Sequence, residues 1–235
     1  MRGALEIRDM HVRFGKATIL QGVSLSVGEK PVSVIGRNGM GKTTMCSALM
    51  GMVAASGSAK LDGKEILGLG TGKVARSGMA IVPQGRRVFP SLSVHEHLRL
   101  VAQRGNPPWT IERVYDTFPR LAERRKNGGN QLSGGEQQML AISRALLMNP
   151  RLVIMDEPSE GLAPVIVDHL IEVLRTIAQE GMGLLLIEQN LRVATSVADE
   201  VSIMVTGRIA ATVGSAELAR DRELKNRYLG VSHGH

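Results

Sequence analysis

Three short stretches carry residues whose types and spacing suit phosphate chemistry. GRNGMGKTT, Gly36 to Thr44, fits the pattern G-x-x-x-x-G-K-[ST] and lies between an apolar run, PVSVIG, and a helical run, KTTMCSALMGM. Gly36, Gly39 and Gly41 let backbone N–H groups curl around phosphate oxygens, and the helix N-terminus adds its positive dipole end. Lys42 then reaches the β- and γ-phosphates, and Thr43 offers a hydroxyl to Mg²⁺, with Asn38 and Thr44 in the same cradle. A plain glycine turn is the competing reading, and the strand-loop-helix context weighs against it.

RLVIMDE sets Asp156 and Glu157 at the carboxyl end of an apolar strand, where ligands of open α/β sheets bind. Asp156 would hold Mg²⁺ and Glu157 would polarise the attacking water. Adjacent acids can also be a solvated turn or a helix cap, and the phosphate loop upstream favours the functional reading. In QLSGGEQQ, Ser133, Gly134 and Gly135 open a second helix with free N–H donors suited to a phosphate. Ser133 and Glu136 also read as a capping box, which does not compete with that role. One nucleotide already has its cradle at 36–44, so two phosphate-binding helix ends suggest a site shared between two chains. GLLLIEQN, Gly183 to Asn190, ends another apolar strand in Gln189, an amide that can donate a hydrogen bond but cannot become cationic.

The elements needed to hold these groups are legible in the hydrophobic periodicity. LEIRDMHVRF and ILQGVSLSV alternate as strands, with Gly15-Lys16 and Gly28-Glu29 as turns. SGSAKLDGKEI reads as a hairpin about Asp62-Gly63, and MAIVPQ as a short buried strand. From about Leu92 to Lys126 the pattern is helical, with Ile111, Val114, Tyr115, Phe118 and Leu121 on one face, broken into two pieces at Asn106-Pro107-Pro108. A long helix follows the SGG turn and ends at Asn149-Pro150. RLVIMDE and GLLLIEQ are near-continuous apolar strands joined by a helix from about Val165 to Glu180, a βαβ unit that implies a parallel sheet. EVSIMV-TG-RIAATV closes as a hairpin, and SAELARDRELKNRYLG reads as a final charged helix.

The chain has 235 residues, 43% hydrophobic and 22% charged, which suits one α/β domain. No apolar run approaches the ~20 residues of a membrane helix, and the start, MRGALEIRDM, has no signal-peptide core. The lone Cys46 permits no internal disulfide and fits a reducing cytoplasm; it reads as a small, half-buried residue of the first helix rather than a catalytic thiol. A net charge of +7 suits nucleic acid, anionic lipid or phosphorylated ligands, but 3% aromatic content argues against base-stacking single-strand binders. Trp109 and the terminal HGH carry no assigned role.

Together these motifs resemble the ATP-binding subunits of ABC transporters over almost the whole chain. The resemblance implies a P-loop α/β fold of one domain, 1–235. A mainly parallel core sheet is expected, with an antiparallel β subdomain drawn from about 1–35 and 57–70 and a helical subdomain at about 90–130. It identifies GRNGMGKTT as Walker A, LSGGE as the signature, and LVIMDE as Walker B with Glu157 catalytic. Gln84 becomes the Q-loop glutamine that links nucleotide and Mg²⁺ to the membrane subunits. Phe14 matches the aromatic that stacks on adenine, although a strand-core role fits it nearly as well. ATP and Mg²⁺ are the implied ligands. Two such subunits close head to tail on ATP, on the cytoplasmic face of the membrane, against two permeases that a substrate-binding protein feeds. The helical subdomain and the Q-loop would receive the permeases, with Arg86, Arg87, Arg120, Arg124, Arg125 and Lys126 as docking or merely solvated charges.

A narrower resemblance, carried by VPQGRRVFPSLSVHEHL, DEPSEGLAP, LLLIEQN and RYLG, is to LivF-type ATPases of branched-chain amino-acid importers. At two positions the chain departs from that type, Gln84 for a usual Glu and Glu160 for a usual Leu. Both lean toward urea-importer relatives, so either cargo stands. Gln189 replaces the usual switch histidine and Ala163 the usual D-loop aspartate, features that this type shares. They imply unequal ATP sites, with a second ATPase subunit supplying the histidine in a heterodimer. Nucleic-acid ABC proteins split these motifs with coiled coils or carry two cassettes, which this chain does not, so no nucleic acid is expected. A small-molecule P-loop kinase leaves LSGGEQQ without an account.

Overall fold

The structure, a computed structural model, describes residues 4–221. In chain order its strands are β1 (Leu5–Phe14), β2 (Ala17–Val27), β3 (Val32–Ile35), β4 (Ser56–Leu61), β5 (Lys64–Glu65), β6 (Met79–Val82), β7 (Leu152–Asp156), β8 (Gly183–Glu188), β9 (Glu200–Val205) and β10 (Arg208–Gly214). They form two sheets: an antiparallel one in the order β2-β1-β4-β5, and a larger one in the order β10-β9-β3-β8-β7-β6. In the larger sheet β9, β3, β8, β7 and β6 run parallel, and β10 pairs antiparallel at its edge. The antiparallel set closes with β1, β2, β4 and β5, whereas β3 belongs to the parallel sheet.

Local chemistry explains the turns. Asp62-Gly63 and Thr206-Gly207 each place two residues at positive φ (49° and 77°; 44° and 72°), the conformation a two-residue hairpin requires. In β1 the buried positions change parity, from Leu5 and Ile7 to Met10 and Val12, because a bulge at Asp9 (φ 49°) keeps the apolar side chains on one face.

The helices cover the parallel sheet on both sides. On one side α1 (Lys42–Leu49) lies in a core shared by the antiparallel sheet and the Ile154, Leu185 and Ile187 face of β7 and β8; α2 (Thr71–Arg76) adds Val74. On the other side Val153, Met155, Leu184 and Leu186 pack against α6 (Gly134–Leu146), α7 (Pro164–Gln179) and α8 (Leu191–Val197). This alternation along adjacent strands is what a sheet buried on both faces demands.

The stretch from Leu92 to Lys126 differs from expectation. Instead of two helical pieces it holds three short helices, α3 (Val94–Arg99), α4 (Ile111–Thr117) and α5 (Pro119–Glu123). Pro119 drives Phe118 out of the helical region (φ −124°, ψ 74°), so α4 stops there and α5 restarts with proline in its first turn. The expected apolar face survives the break: Val114, Phe118 and Leu121 are buried against the core, with Ile111 and Tyr115 packed beside them. Each such burial is worth ~1.5–3 kcal/mol. The expected terminal helix begins as α9 (Ser215–Arg220) and reaches Asp221; its continuation, with RYLG and the terminal histidines, lies outside the described residues.

Candidate nucleotide site

Adjacent strands β3, β8, β7 and β6 deliver Gly36, Gln189, Asp156-Glu157 and Gln84 to one edge of the sheet, because all four run the same way. The loop from Gly36 turns into α1, whose N-cap is Gly41 in the left-handed region (φ 99°), with no side-chain cap and no acidic residue in the first turn. Its leading N–H groups therefore keep their capacity for an anion. Gly36 cannot be larger, since a Cβ there would lie 2.5 Å from the Met204 carbonyl oxygen. A pocket of about 430 Å³ opens at this point, lined by Asn38, Gly41, Lys42, Thr43, Gln84 and Glu157, with Ile19 as an apolar wall.

Lys42 is buried and folds back over the loop. Its Nζ donates to the Gly36 carbonyl at 2.7 Å and the Arg37 carbonyl at 3.1 Å, and lies 3.1 Å from Glu157 Oε1. Glu157 sits at φ 51°, its N–H donating to the Ile187 carbonyl at 2.9 Å. Its Oε2 accepts from Gln189 Nε2 at 2.7 Å and from Gln84 Nε2 at 3.2 Å. Gln189 Nε2 also donates to Asn38 Oδ1, which joins the end of β8 to the phosphate loop. Gln84 further donates to Glu160 Oε2 at 2.9 Å, so the two residues that depart from the LivF type contact each other.

Asp156 is 2% exposed, and its Oδ1 has no hydrogen-bond partner among the described residues. Burial pushes its carboxyl up, while the Thr43 hydroxyl, bonded to it, draws it down. A buried carboxylate oxygen left unpaired beside a threonine hydroxyl suits a hard cation. No cluster of three or more His, Cys, Asp or Glu residues fit to hold a metal occurs among the described residues, so a cation here would rest on few protein ligands. Cys46 is fully rather than half buried in α1, packed in the core beneath the antiparallel sheet, and burial pushes its thiol well up.

The other singled-out residues lie apart. Ser133 caps α6, with Glu136 N–H donating to its Oγ at 3.3 Å and Glu136 Oε2 accepting from Ser133 N–H at 2.8 Å, the expected capping box. Neither Ser133 nor Gly134 or Gly135 lines the phosphate pocket. The Arg86 guanidinium lies against Gly134, where a Cβ would approach it to 2.5 Å. Phe14 is 52% exposed at the end of β1 and is likewise outside the pocket lining. Sequence reasoning missed Ile19, whose strand alternation carries no sign of a ligand, and Glu188, which stands beside Gln189 in an apolar strand and is fully buried. Another cavity, of about 420 Å³, lies at the opposite end of β7 and β8 beside Trp109; there Arg151 pairs with Asp62 at 3.1 Å and Glu180 with Arg113.

The fold and this site define an ATP-hydrolysing cassette. The family model for ABC transporter matches residues 20–160, and the chain belongs to that family as an ATP-binding subunit. It is 39% identical over 222 residues to the high-affinity branched-chain amino acid transport ATP-binding protein BraG of Pseudomonas aeruginosa, covering 92% of this chain and 95% of that one. The lipopolysaccharide export system ATP-binding protein LptB of Haemophilus influenzae is 31% identical over 219 residues, covering 90% and 91%. Among solved structures, a nucleotide-free ATP-binding cassette from an ABC transporter superposes with a TM-score of 0.85 at 23% identity, covering 99% of this chain and 100% of that one, a likeness of fold. No described helix is long and apolar enough to cross a membrane.

Proposed function

We propose that this chain powers an importer of branched-chain or other hydrophobic amino acids, as one ATPase subunit of a pair bound to two permeases on the cytoplasmic face of the membrane. A substrate-binding protein would deliver the cargo. The observation that carries the ATP chemistry is the convergence of Lys42, Asp156, Glu157, Gln84 and Gln189 at one sheet edge, beside a pocket of about 430 Å³. The similarity to BraG carries the cargo.

In this reading Lys42 leaves the Gly36 and Arg37 carbonyls for the β- and γ-phosphates, which frees Glu157 from its ion pair to polarise water. Mg²⁺, held by Thr43, Asp156 and Gln84, would neutralise phosphate charge. Gln189 donates to the γ-phosphate from the position it now shares between Asn38 and Glu157. Phe14 stacks on the base with its exposed ring. Ser133, Gly134 and Gly135, lying outside their own chain's pocket, bind the nucleotide held by the opposite subunit. The helical insert at about 90–130 and the loop after Gln84 meet the permeases, so ATP-driven closure is transmitted from the β6 end.

The test is uptake by the intact transporter, co-purified from its native membrane and reconstituted in vesicles with its binding protein. Labelled leucine should enter in an ATP-dependent manner, and Glu157→Gln should abolish entry. Urea uptake without leucine uptake would transfer the assignment to a urea importer, the second reading that the Gln84 and Glu160 pair favours. Leucine uptake that persists without this chain would end the amino-acid assignment.

A further inference from the structure

Glu188 is the last residue of β8, in a strand otherwise made of glycine, leucines and isoleucine, and it is 1% exposed. An apolar side chain would serve the packing there, and a carboxylate taken from water costs several kcal/mol unless its oxygens are satisfied. Here three backbone N–H groups and the Ser159 hydroxyl satisfy it. Oε1 accepts from Ser159 at 3.0 Å, and Oε2 accepts from Gln189 at 3.1 Å and Asn190 at 3.2 Å.

These donors belong to two different loops. Ser159 stands two residues beyond Glu157, in the turn leading to α7, whereas Gln189 and Asn190 form the exit of β8, with Asn190 capping α8. The side chains these loops present, Glu157 and Gln189, meet at 2.7 Å. Besides that contact, the Glu157 N–H bond to the Ile187 carbonyl at 2.9 Å ties the two exits, two residues before Ser159.

We propose that Glu188 is a positioning residue for ATP hydrolysis, a buried carboxylate that clamps the loop after Glu157 to the loop bearing Gln189 and so fixes the amide against the carboxylate. The inference rests on the reading of Glu157 and Gln189 as hydrolytic groups. Burial pushes the Glu188 carboxyl up, and the Ser159, Asn190 and Gln189 bonds work against that, which is the balance a clamp made of a charged group must hold. Glu188→Gln keeps the shape but turns an NH₂ toward one of the loops, where a donor then faces a donor. Glu188→Asp keeps the charge but is a methylene too short to span both.

The test uses the full chain, with ATP turnover, ATP affinity and the Gln189 side-chain amide resonance measured on each variant; the resonance is assigned by its loss in Gln189→Ala. Glu188→Gln and Glu188→Asp should each lower kcat about tenfold while leaving ATP affinity within about twofold, and should shift the Gln189 amide signal. Because Glu188 acts through Gln189, the double variant Glu188→Gln, Gln189→Ala should be no slower than the slower single one. Unchanged kcat in Glu188→Asp, an unmoved Gln189 signal, or rate losses that multiply would each overturn the proposal. Wild-type turnover that Glu157→Gln leaves intact would instead overturn the reading beneath it, whatever Glu188 does.

Discussion

At the ends of β6, β7 and β8 two amides share the oxygens of two carboxylates. Gln84 Nε2 sits between Glu157 and Glu160, and Gln189 Nε2 between Glu157 and Asn38. An amide is the residue type this geometry asks for at position 84, since it donates to both acids without adding charge. A glutamate there would face two carboxylates, with Lys42 the one cation in contact with Glu157 among the described residues. Position 160 then bears on what position 84 can be: with Leu at 160 one of the two carboxylates is gone, and a glutamate at 84 is better tolerated. Gln84→Glu is therefore expected to lower the thermal midpoint, and Glu160→Leu in the same chain to restore part of the loss, with a coupling of roughly 1 kcal/mol because Glu160 is open to solvent. A double-mutant cycle on thermal midpoints measures it, and additivity within about 0.4 kcal/mol would show that the two side chains do not interact in solution.

At the scale of elements, the sequence showed most clearly those parts whose local chemistry and tertiary role agree. The strand-loop-helix at 36–44, the Asp62-Gly63 hairpin, the Ser133–Glu136 box and the βαβ unit of β7, α7 and β8 all carried their own signals. Helices α2 and α8 escaped notice because each is short and neither shows a long amphipathic stripe, although Asn190 does cap α8 by accepting from Arg192 and Val193. The tight contact of Gln84 with Glu160 and the clamp at Glu188 depend on which strands are neighbours, a fact of topology that spacing along the chain does not encode. The loop after Gln84 is a further case: Arg86 and Arg87 adopt positive φ (61° and 46°), which non-glycine residues adopt at a cost of order 1–3 kcal/mol each. His97 of α3 fastens its far end, with Nε2 accepting the Phe89 N–H at 2.8 Å and Nδ1 donating to the Ser93 carbonyl at 2.8 Å, so the ring is neutral. Burial lowers the His97 pKa, with Arg144 adding to the fall and the Ser93 bond and Glu96 opposing it. The unfolded chain then takes up a proton near pH 6.5 that the folded chain refuses, so the stability His97 contributes is present above the unfolded pKa of 6.5 and is lost as pH falls through the folded value. The free energy of unfolding should drop between about pH 7.5 and pH 5.5, by no more than ~1.4 kcal/mol per pH unit from this group, and the thermal midpoint with it, and less so in His97→Gln. Since Asp156 and Glu188 are present in both proteins, the difference between their pH profiles isolates His97; identical profiles would remove it as the fastener.

For the whole molecule, the decisive arrangement is that the two helix starts proposed to take phosphate, those of α1 and α6, do not share a pocket. The α1 cradle opens beside Glu157, while the α6 start at Ser133 lies outside that lining, so a single chain cannot bring both to one nucleotide. In the proposed reading, hydrolysis at full rate requires a second cassette, and the residue proposed to meet the γ-phosphate at the end of β8 decides how much each site contributes. In this chain that residue is an amide already tied to Glu157 and Asn38. It supplies a hydrogen bond but no positive charge as negative charge builds on the transferred phosphoryl group, and charged hydrogen bonds are roughly twice as strong as neutral ones. An imidazole in its place could become cationic, and each 1.36 kcal/mol gained in the transition state is tenfold in rate. Purified alone, the chain should turn over ATP at least about tenfold more slowly than the complete transporter, and Gln189→His should raise the rate of the isolated chain several-fold with ATP affinity little changed. The same substitution in the complete transporter should matter less, because in the proposed pair the opposite cassette would bring its own switch residue. Equal turnover by the lone chain and the complex, with no response to Gln189→His, would mean that the two sites are equivalent and that the amide at the end of β8 is only a strand-end cap.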